Sequence, residues 1–356
     1  MLSKQELSKI RSLLEQAQNP LFFYDNDVDG LSSFLLLARF LKRGKGIVIK
    51  SYPDLSNTYI RRLHEIKSDA VFILDKPLVD PKFLEACFQL GLPVIWIDHH
   101  APQEKEFVKE VNYFNPLNSS KASSEPVSYL CYQVTKKPED EWVAMLGCLA
   151  DYYLPDFAKE FSEKYPDIFP YSNNPAKLLF QSQFGKLVKI LSFSLKDRTT
   201  NVLKMMKFML KTNSPYELLN KENKNAEFIY SRFERINKKY TKLIEKAKKQ
   251  GEKAGRVLFF SYSGDLSISA DVSNELLYYF PKKMIVVAYL TGSKANISLR
   301  DNKIDLRSFL DKVMQDIEGT HGGHKSACGA TIAASDFERF KKNLLETIKS
   351  ENKIQK

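Results

Sequence analysis

Three of the four strand-like runs in the first hundred residues end on an aspartate. PLFFYD closes at Asp25, AVFILD at Asp75 and PVIWID at Asp98, while IVIKSY (47–52) does not. Between them lie stretches with apolar residues at helical spacing, GLSSFLLLARFLKRG and segments near 57–67 and 81–90. Short apolar strands alternating with helices predict a doubly wound parallel sheet. Such a sheet binds ligands at the carboxyl ends of its strands, so this pattern delivers three carboxylates to one edge. The first is crowded further: FFYDNDVDGLSS places Asp25, Asp27 and Asp29 within five residues. Carboxylates that close repel one another and resist desolvation unless a cation lies among them.

Alone, the triplet fits a solvated turn as well as a metal site. It is not an EF-hand, because the twelfth position from Asp25 is Leu36 where a bidentate glutamate is required. The histidines are more pointed. Of five, His99 and His100 follow Asp98 directly, His321 and His324 form a second cluster, and only His64 stands alone. On the same predicted edge as the triplet, Asp98-His99-His100 reads as a ligand set. Asp151 lies towards the end of the helical EWVAMLGCLADYYLPDF, with Pro155 as a stop signal. Mixed carboxylate and imidazole donors suit Mn²⁺, with Mg²⁺ and Fe²⁺ less favoured. Asp25, Asp27, Asp29, Asp75, Asp98, His99, His100 and Asp151 exceed the needs of one ion, so two ions about 3.5–4 Å apart, sharing an aspartate, are expected. Gly30 opens the next helix, where free N–H groups favour anions.

Beyond the polar loop NPLNSSKASSEP, residues 157–255 read as mostly helical, rich in lysine and aromatics, with loops near 165–175 and 213–225. The aromatics of FIYSRFERINKKYTK fit helix packing better than base stacking. A second α/β segment runs RVLFFSYSG, a helix at 270–280, MIVVAYLT, ANISLR, a helix at 305–318, the loop GTHGGHKSACGA and a closing helix. In that loop Gly319, Gly322 and Gly323 surround His321 and His324, allowing close backbone approach to a ligand. With Arg300 ending ANISLR, the loop offers donors for a phosphate or a nucleic-acid terminus. The fold class expected is α/β: a doubly wound parallel-sheet domain (1–155), a helical basic segment and linker (156–255), and a smaller α/β substrate-binding domain (256–350). A net charge of +11 favours a polyanionic partner. No 18-residue apolar run or signal-peptide pattern is present and four scattered cysteines form no CxxC pair, so a soluble cytoplasmic protein with reduced thiols is expected, with no membrane partner.

IDHH at 97–100, the DxDG of Asp27–Gly30 and GGHKSACG at 322–329 together resemble the DHH phosphoesterase superfamily with its DHH-associated C-terminal domain. RecJ exonucleases, oligoribonuclease-type nanoRNases and archaeal RecJ-like nucleases belong to it. The resemblance covers roughly 19–155 and 257–345. It implies Mn²⁺ or Mg²⁺ held by Asp27 and Asp29 (with Asp25), Asp75, Asp98, His99 and Asp151, and Asp98, His99 and His100 as the catalytic residues. It also implies substrate binding by Arg300, His321, Gly322, Gly323 and His324. The activity implied is two-metal, RecJ-like exonuclease cleavage of single-stranded DNA or RNA from an end. Two other roles within the superfamily are a replication-fork scaffold binding GINS, and a phosphodiesterase acting on oligoribonucleotides or cyclic dinucleotides. The chain departs from the family in three places: Phe23 or Asp25 where many members carry an upstream histidine, Lys76-Pro77 after the second-motif aspartate, and His321 in HGGH where GGGH is commoner.

Overall fold

The computed structural model describes residues 1–51, 54–102 and 110–354, and of His324 and 351–354 only the backbone. The chain folds as two compact units, Met1–Phe233 and Glu234–Lys356.

In the first unit, β1 (Pro20–Asp25), β2 (Lys45–Ile49), β3 (Ala70–Leu74), β4 (Val94–Ile97) and β5 (Asn112–Phe114) form an all-parallel sheet ordered β2-β1-β3-β4-β5. The order reverses between β1 and β3, the topological switch point where doubly wound sheets open a crevice for ligands. Register then fixes the edge. Tyr24, Leu74, Ile97 and Phe114 stand in one row across four strands. The residues that follow them, Asp25, Asp75, Asp98 and Asn115, therefore emerge side by side.

The strands read as continuous apolar runs because both faces are covered. Leu21 and Phe23 of β1 join Ile73 and Trp96 in a core closed by Leu63 of α3 (Ile60–Glu65) and by Phe83 and Leu84 of α4 (Pro81–Gln89). Phe22 and Tyr24 point the other way, onto Phe34 of α2 (Val28–Leu41), with ring centroids 5.5 and 5.0 Å apart. Each such buried ring contributes roughly 1.5–3 kcal/mol. On that face α2 also packs against α5 (Val127–Thr135) and α6 (Glu141–Ala150), and α1 (Lys4–Gln16) covers α5.

Behind α6 come α7 (Ala158–Lys164), α8 (Pro175–Gln181), α9 (Gln183–Leu195), α10 (Thr199–Met209) and α11 (Pro215–Leu219), and then the 30-residue α12 (Lys224–Lys253). A buried polar tie anchors this layer to the sheet domain. Arg39 of α2 donates from Nε to Asp140 Oδ1 (2.7 Å) and from Nη1 to the carbonyls of Met209 (2.9 Å) and Thr212 (2.6 Å). The expected packing role for the FIYSRF aromatics is what the structure shows: Phe233 packs on Phe193, and lysines lie over the Phe228 and Tyr230 rings.

The second unit is a sheet of β6 (Val257–Ser263), β7 (Met284–Leu290), β8 (Lys294–Arg300), β9 (Gly319–His324) and β10 (Ala327–Ala333), ordered β9-β10-β8-β7-β6. α13 (Ser269–Tyr279) packs on β7 and β8. α14 (Leu306–Val313) and α15 (Phe337–Ile354) close an apolar core around Val286, Ile297 and Ile332.

The structure corrects several sequence expectations. GTHGGHKSACGA is a β-hairpin, not a loop: β9 and β10 pair antiparallel from Gly319 opposite Ile332 to His324 opposite Ala327. Glycine has low strand propensity, yet here it is required. Gly323 has φ +139°, and a Cβ there would lie 2.4 Å from the Ala327 carbonyl oxygen. The expected helix at 305–318 stops at Val313, and Met314 and Ile317 complete the apolar spacing from a turn. β5 and α11 have no counterpart in the pattern reading, each being too short to show a period. The strand expected at 47–52 spans 45–49, and Tyr52 lies outside the described residues.

Replacing Arg39 by alanine would strand the Asp140 carboxylate and two carbonyls in the interior. A loss of about 3–5 kcal/mol is expected for breaking a buried pair, read as a lower urea midpoint at unchanged slope.

Candidate metal centre

The row of strand ends is assembled by the backbone before any ion is considered. Asp75 follows β3 with φ +59°, a left-handed conformation that aspartate tolerates better than most residues. Its N–H still donates to the Ile97 carbonyl (3.0 Å), and the Asp98 N–H to that of Phe114 (3.1 Å), so both aspartates are rooted in the ladder. Asp27 caps α2 by accepting from the Gly30 N–H at 2.9 Å. Gly30 permits this close return: a Cβ there would lie 2.7 Å from both the nitrogen and the carbonyl oxygen of Asp25. Asp29, fully buried, accepts from the N–H groups of Val127 (2.7 Å) and Ser128 (3.0 Å) and from the Ser128 hydroxyl. It thereby caps α5, and Gly147 leaves room for it. Asp151 ends α6 as its C-cap.

These elements bring the acids together in overlapping sets whose donor atoms lie within 4.8 Å of one another: Asp25, Asp27 and Asp75; Asp29, His99 and Asp151; and Asp75, His99 and His100. His99 Nε2 stands 3.4 Å from Asp75 Oδ1 and 3.4 Å from Asp151 Oδ2. Asp75 is 1% exposed, and its Oδ1 is buried with no hydrogen-bond donor among the described residues. An orphaned carboxylate oxygen among other carboxylates is costly without a cation. The oxygen-rich, imidazole-containing donor set fits a hard divalent ion.

The protonation equilibria carry the same strain. Burial first, and repulsion from Asp27, Asp29, Asp151 and Asp25 next, push the Asp75 carboxyl well above the usual carboxylate range. Burial and then Asp29, Asp27 and Asp25 do the same at Asp151. Asp25 is raised to about 6 by burial and Asp27, against the lowering influence of Lys76.

Asp98 is tied to its neighbour His100. It is fully buried and lies in none of the three donor sets; its Oδ1 faces His100 Nδ1 at 2.8 Å, while Oδ2 accepts from the His100 N–H at 3.2 Å. Burial disfavours a charged His100 ring, but the hydrogen bond and charge of Asp98, with Asp27 and Asp25 behind, outweigh it and raise the His100 pKa.

The N-terminal domain model of the DHH family matches residues 21–151, and the DHHA1 domain model matches 254–350. The chain belongs to the DHH superfamily. Its fold is RecJ-like. Superposed on RecJ from Thermus thermophilus in complex with Mn²⁺, it gives a TM-score of 0.68 at 16% identity over 98% of this chain. The chain spans 55% of that RecJ, a protein also crystallised with Mg²⁺. A DHH domain described as belonging to a family of ribosomal proteins gives 0.70 at 12% identity, covering 97% of this chain and 90% of that one. A pGpG-specific phosphodiesterase, PggH from Vibrio cholerae, gives 0.55 at 14% identity, covering 94% and 99%. Comparison with curated proteins returns no match.

Within the DHH domain the structure thus gathers Asp25, Asp27, Asp29, Asp75, His99, His100 and Asp151, with Asp98 supporting His100. Motif reading missed the supports. Asn115 donates to the His100 carbonyl (2.8 Å) and towards Asp98 Oδ2 (3.4 Å), and Ser128 holds Asp29. Asn115 was findable only as the residue after a strand too short to recognise. Tyr152, half-exposed beside Asp151 at φ +57°, carries no sequence signal at all.

In the DHHA1 unit, Arg300 pairs with Ala327, and Ala327 with His324, so Arg300 and His324 share one row of the sheet. Arg300 donates from Nε to Asn274 Oδ1 at 2.5 Å and from Nη1 to the Leu299 carbonyl at 2.8 Å. His321 Nε2 lies 2.9 Å from Asp311 Oδ1 on the exposed face of the hairpin.

The raised carboxyl pKa values set the pH response. Protons held by Asp25, Asp75 and Asp151 stabilise the ion-free protein below the unfolded carboxyl pKa of about 3.9, and for Asp25 that contribution is lost as pH rises through about 6. Cation binding requires the deprotonated forms. The rise in Tm given by Mn²⁺ over EDTA is therefore expected to grow between pH 5 and 7; a constant difference would contradict this account. Gly30→Ala, which drives a methyl into Asp25, is expected to cost about 1–3 kcal/mol and to reduce that Mn²⁺-dependent rise.

Proposed function

We propose that the chain is a divalent-metal-dependent phosphodiesterase that trims single-stranded DNA or RNA from an end. The observation that carries this reading is the buried Asp75 Oδ1, without a hydrogen-bond donor among the described residues, in the aspartate that two of the three donor sets share. Asp25, Asp27, Asp29, Asp75, Asp151 and His99 are the residues that would offer donors to Mn²⁺ or Mg²⁺. An ion bound there stabilises charge on phosphoryl oxygens and lowers the pKa of water. Asp98 holds the His100 ring at Nδ1, and the raised pKa of His100 suits a proton donor to the leaving oxygen. Arg300, His321, Gly322, Gly323 and His324 bind the terminal phosphate. The functional parts follow residues 1–155, 156–255 and 256–350, the middle one tracking the strand.

Support for a long substrate comes from the helical layer. Lys204, Lys207, Lys211 and Lys224 line a concavity of about 850 Å³ between α10 and the start of α12. Four ammonium groups around one groove suit successive phosphates of a strand better than a dinucleotide. The likeness to a pGpG-specific phosphodiesterase over nearly its whole length favours the second reading, a dinucleotide substrate.

End-labelled single-stranded DNA and RNA, and pGpG, incubated with Mn²⁺, Mg²⁺ or EDTA, separate the two. Metal-dependent shortening of the long strands, abolished in His99→Ala and reduced about 10–100-fold in Asp98→Asn, is the expected result. Cleavage of pGpG alone would favour the dinucleotide reading, and no hydrolysis of any substrate by folded protein would overturn both. The double reversal Lys207→Glu, Lys211→Glu is expected to weaken strand binding and to flatten its salt dependence by about one unit per lost phosphate contact, with pGpG turnover unchanged.

A further inference from the structure

We infer that Lys76 is a built-in cation at the metal centre, which fills the charge requirement of Asp25 and leaves the centre with one divalent ion in place of the two that the number of acids suggests. This deepens the metal-centre reading and rests on it. Lys76 is fully buried, and its Nζ donates to Asp25 Oδ1 at 2.7 Å and to the Ser51 carbonyl oxygen at 2.8 Å. Its own carbonyl accepts from Trp96 Nε1 at 2.9 Å, inside the sheet core. The residue is thus held at its backbone and at its ammonium, and swinging the side chain away would leave one charge or the other buried without its partner.

The consequences differ between the two halves of the centre. Asp25 belongs to the set with Asp27 and Asp75, so the ammonium already engages one carboxylate oxygen of a residue in that half and places a fixed positive charge beside it. Two cations that close repel strongly where water screens them poorly. In the other half, formed by Asp29, His99 and Asp151, no lysine or arginine is paired with the carboxylates among the described residues. Asp29 accepts only from the backbone and Ser128, and Asp151 faces His99. The single ion, Mn²⁺ by preference, belongs in that half, with Asp75 shared at its border.

The test counts ions on the whole protein, by native mass spectrometry with Mn²⁺ and by the Mn²⁺ electron paramagnetic resonance spectrum. Wild type is expected to hold one ion per chain with an uncoupled spectrum. Lys76→Met, of similar length and without charge, is expected to take a second and to show exchange coupling, as for ions about 3.5–4 Å apart. The double variant Asp25→Asn, Lys76→Met removes both partners and is expected to return to one. Two coupled ions in wild type would overturn the inference while leaving the phosphodiesterase reading intact, whether or not Lys76→Met folds. A folded Lys76→Met that stays at one ion would overturn it too. No bound Mn²⁺ in wild type would overturn both readings.

Discussion

The feature on which the rest of this molecule depends is the mutual repulsion of carboxylates held at one end of a parallel sheet. Register alone puts Asp25, Asp75 and Asp98 in adjacent places, because Tyr24, Leu74 and Ile97 are row partners. A small slip of one strand would relieve the repulsion by moving one acid out of line. It would also break the alternation that buries Phe23 against one helix layer and Phe22 against the other. The apolar core therefore enforces an electrostatic arrangement that the acids themselves oppose. The exposed end of the sheet can remain charged only where something answers that charge.

What answers it differs from one acid to the next. Asp29 is met by peptide N–H groups at the start of α5, and Asp98 by the ring and backbone of His100 together with Asn115. Asp25 is met by the ammonium of Lys76. Asp75 and Asp151 receive no such donor among the described residues and face His99. The acids of the centre thus differ in what answers their charge: an ammonium at Asp25, peptide and hydroxyl hydrogens at Asp29, a histidine at Asp98, and His99 at Asp75 and Asp151. Carboxylates of identical chemistry acquire different roles from the elements that happen to end beside them.

Much of this was legible in the sequence, for a physical reason. A strand buried on both faces must be apolar throughout, so an aspartate at its end stands out, and three such endings reveal the sheet edge at once. Gly30 and the histidine pair were legible for the same reason, as scarce residue types at fixed offsets from those endings. The supports were not. Asn115 follows a three-residue strand that shows no period, and the Ser128 contact with Asp29 joins residues 99 positions apart. The hairpin at 319–333 read as a loop because its glycines lower strand propensity, although Gly323 is there to let two backbones approach. The contact of Asp98 with His100 was not legible, because an aspartate beside a histidine pair has the same local sequence whether it binds an ion or orients a ring.

Charge on two length scales remains to be reconciled. A net +11 draws polyanions towards the molecule, yet the end of the DHH sheet presents acids that would turn a phosphate away. On the proposed function, attraction at long range and repulsion at short range are compatible only if the local excess of negative charge is cancelled where a phosphate would sit. A dissociable ion does this only while it is bound, whereas a lysine locked between Asp25 and Ser51 does so permanently. The fixed charge lowers the electrostatic barrier to a phosphate whatever the free ion concentration. It also restricts what the remaining half of the centre must supply to the geometry around Asp29, His99 and Asp151.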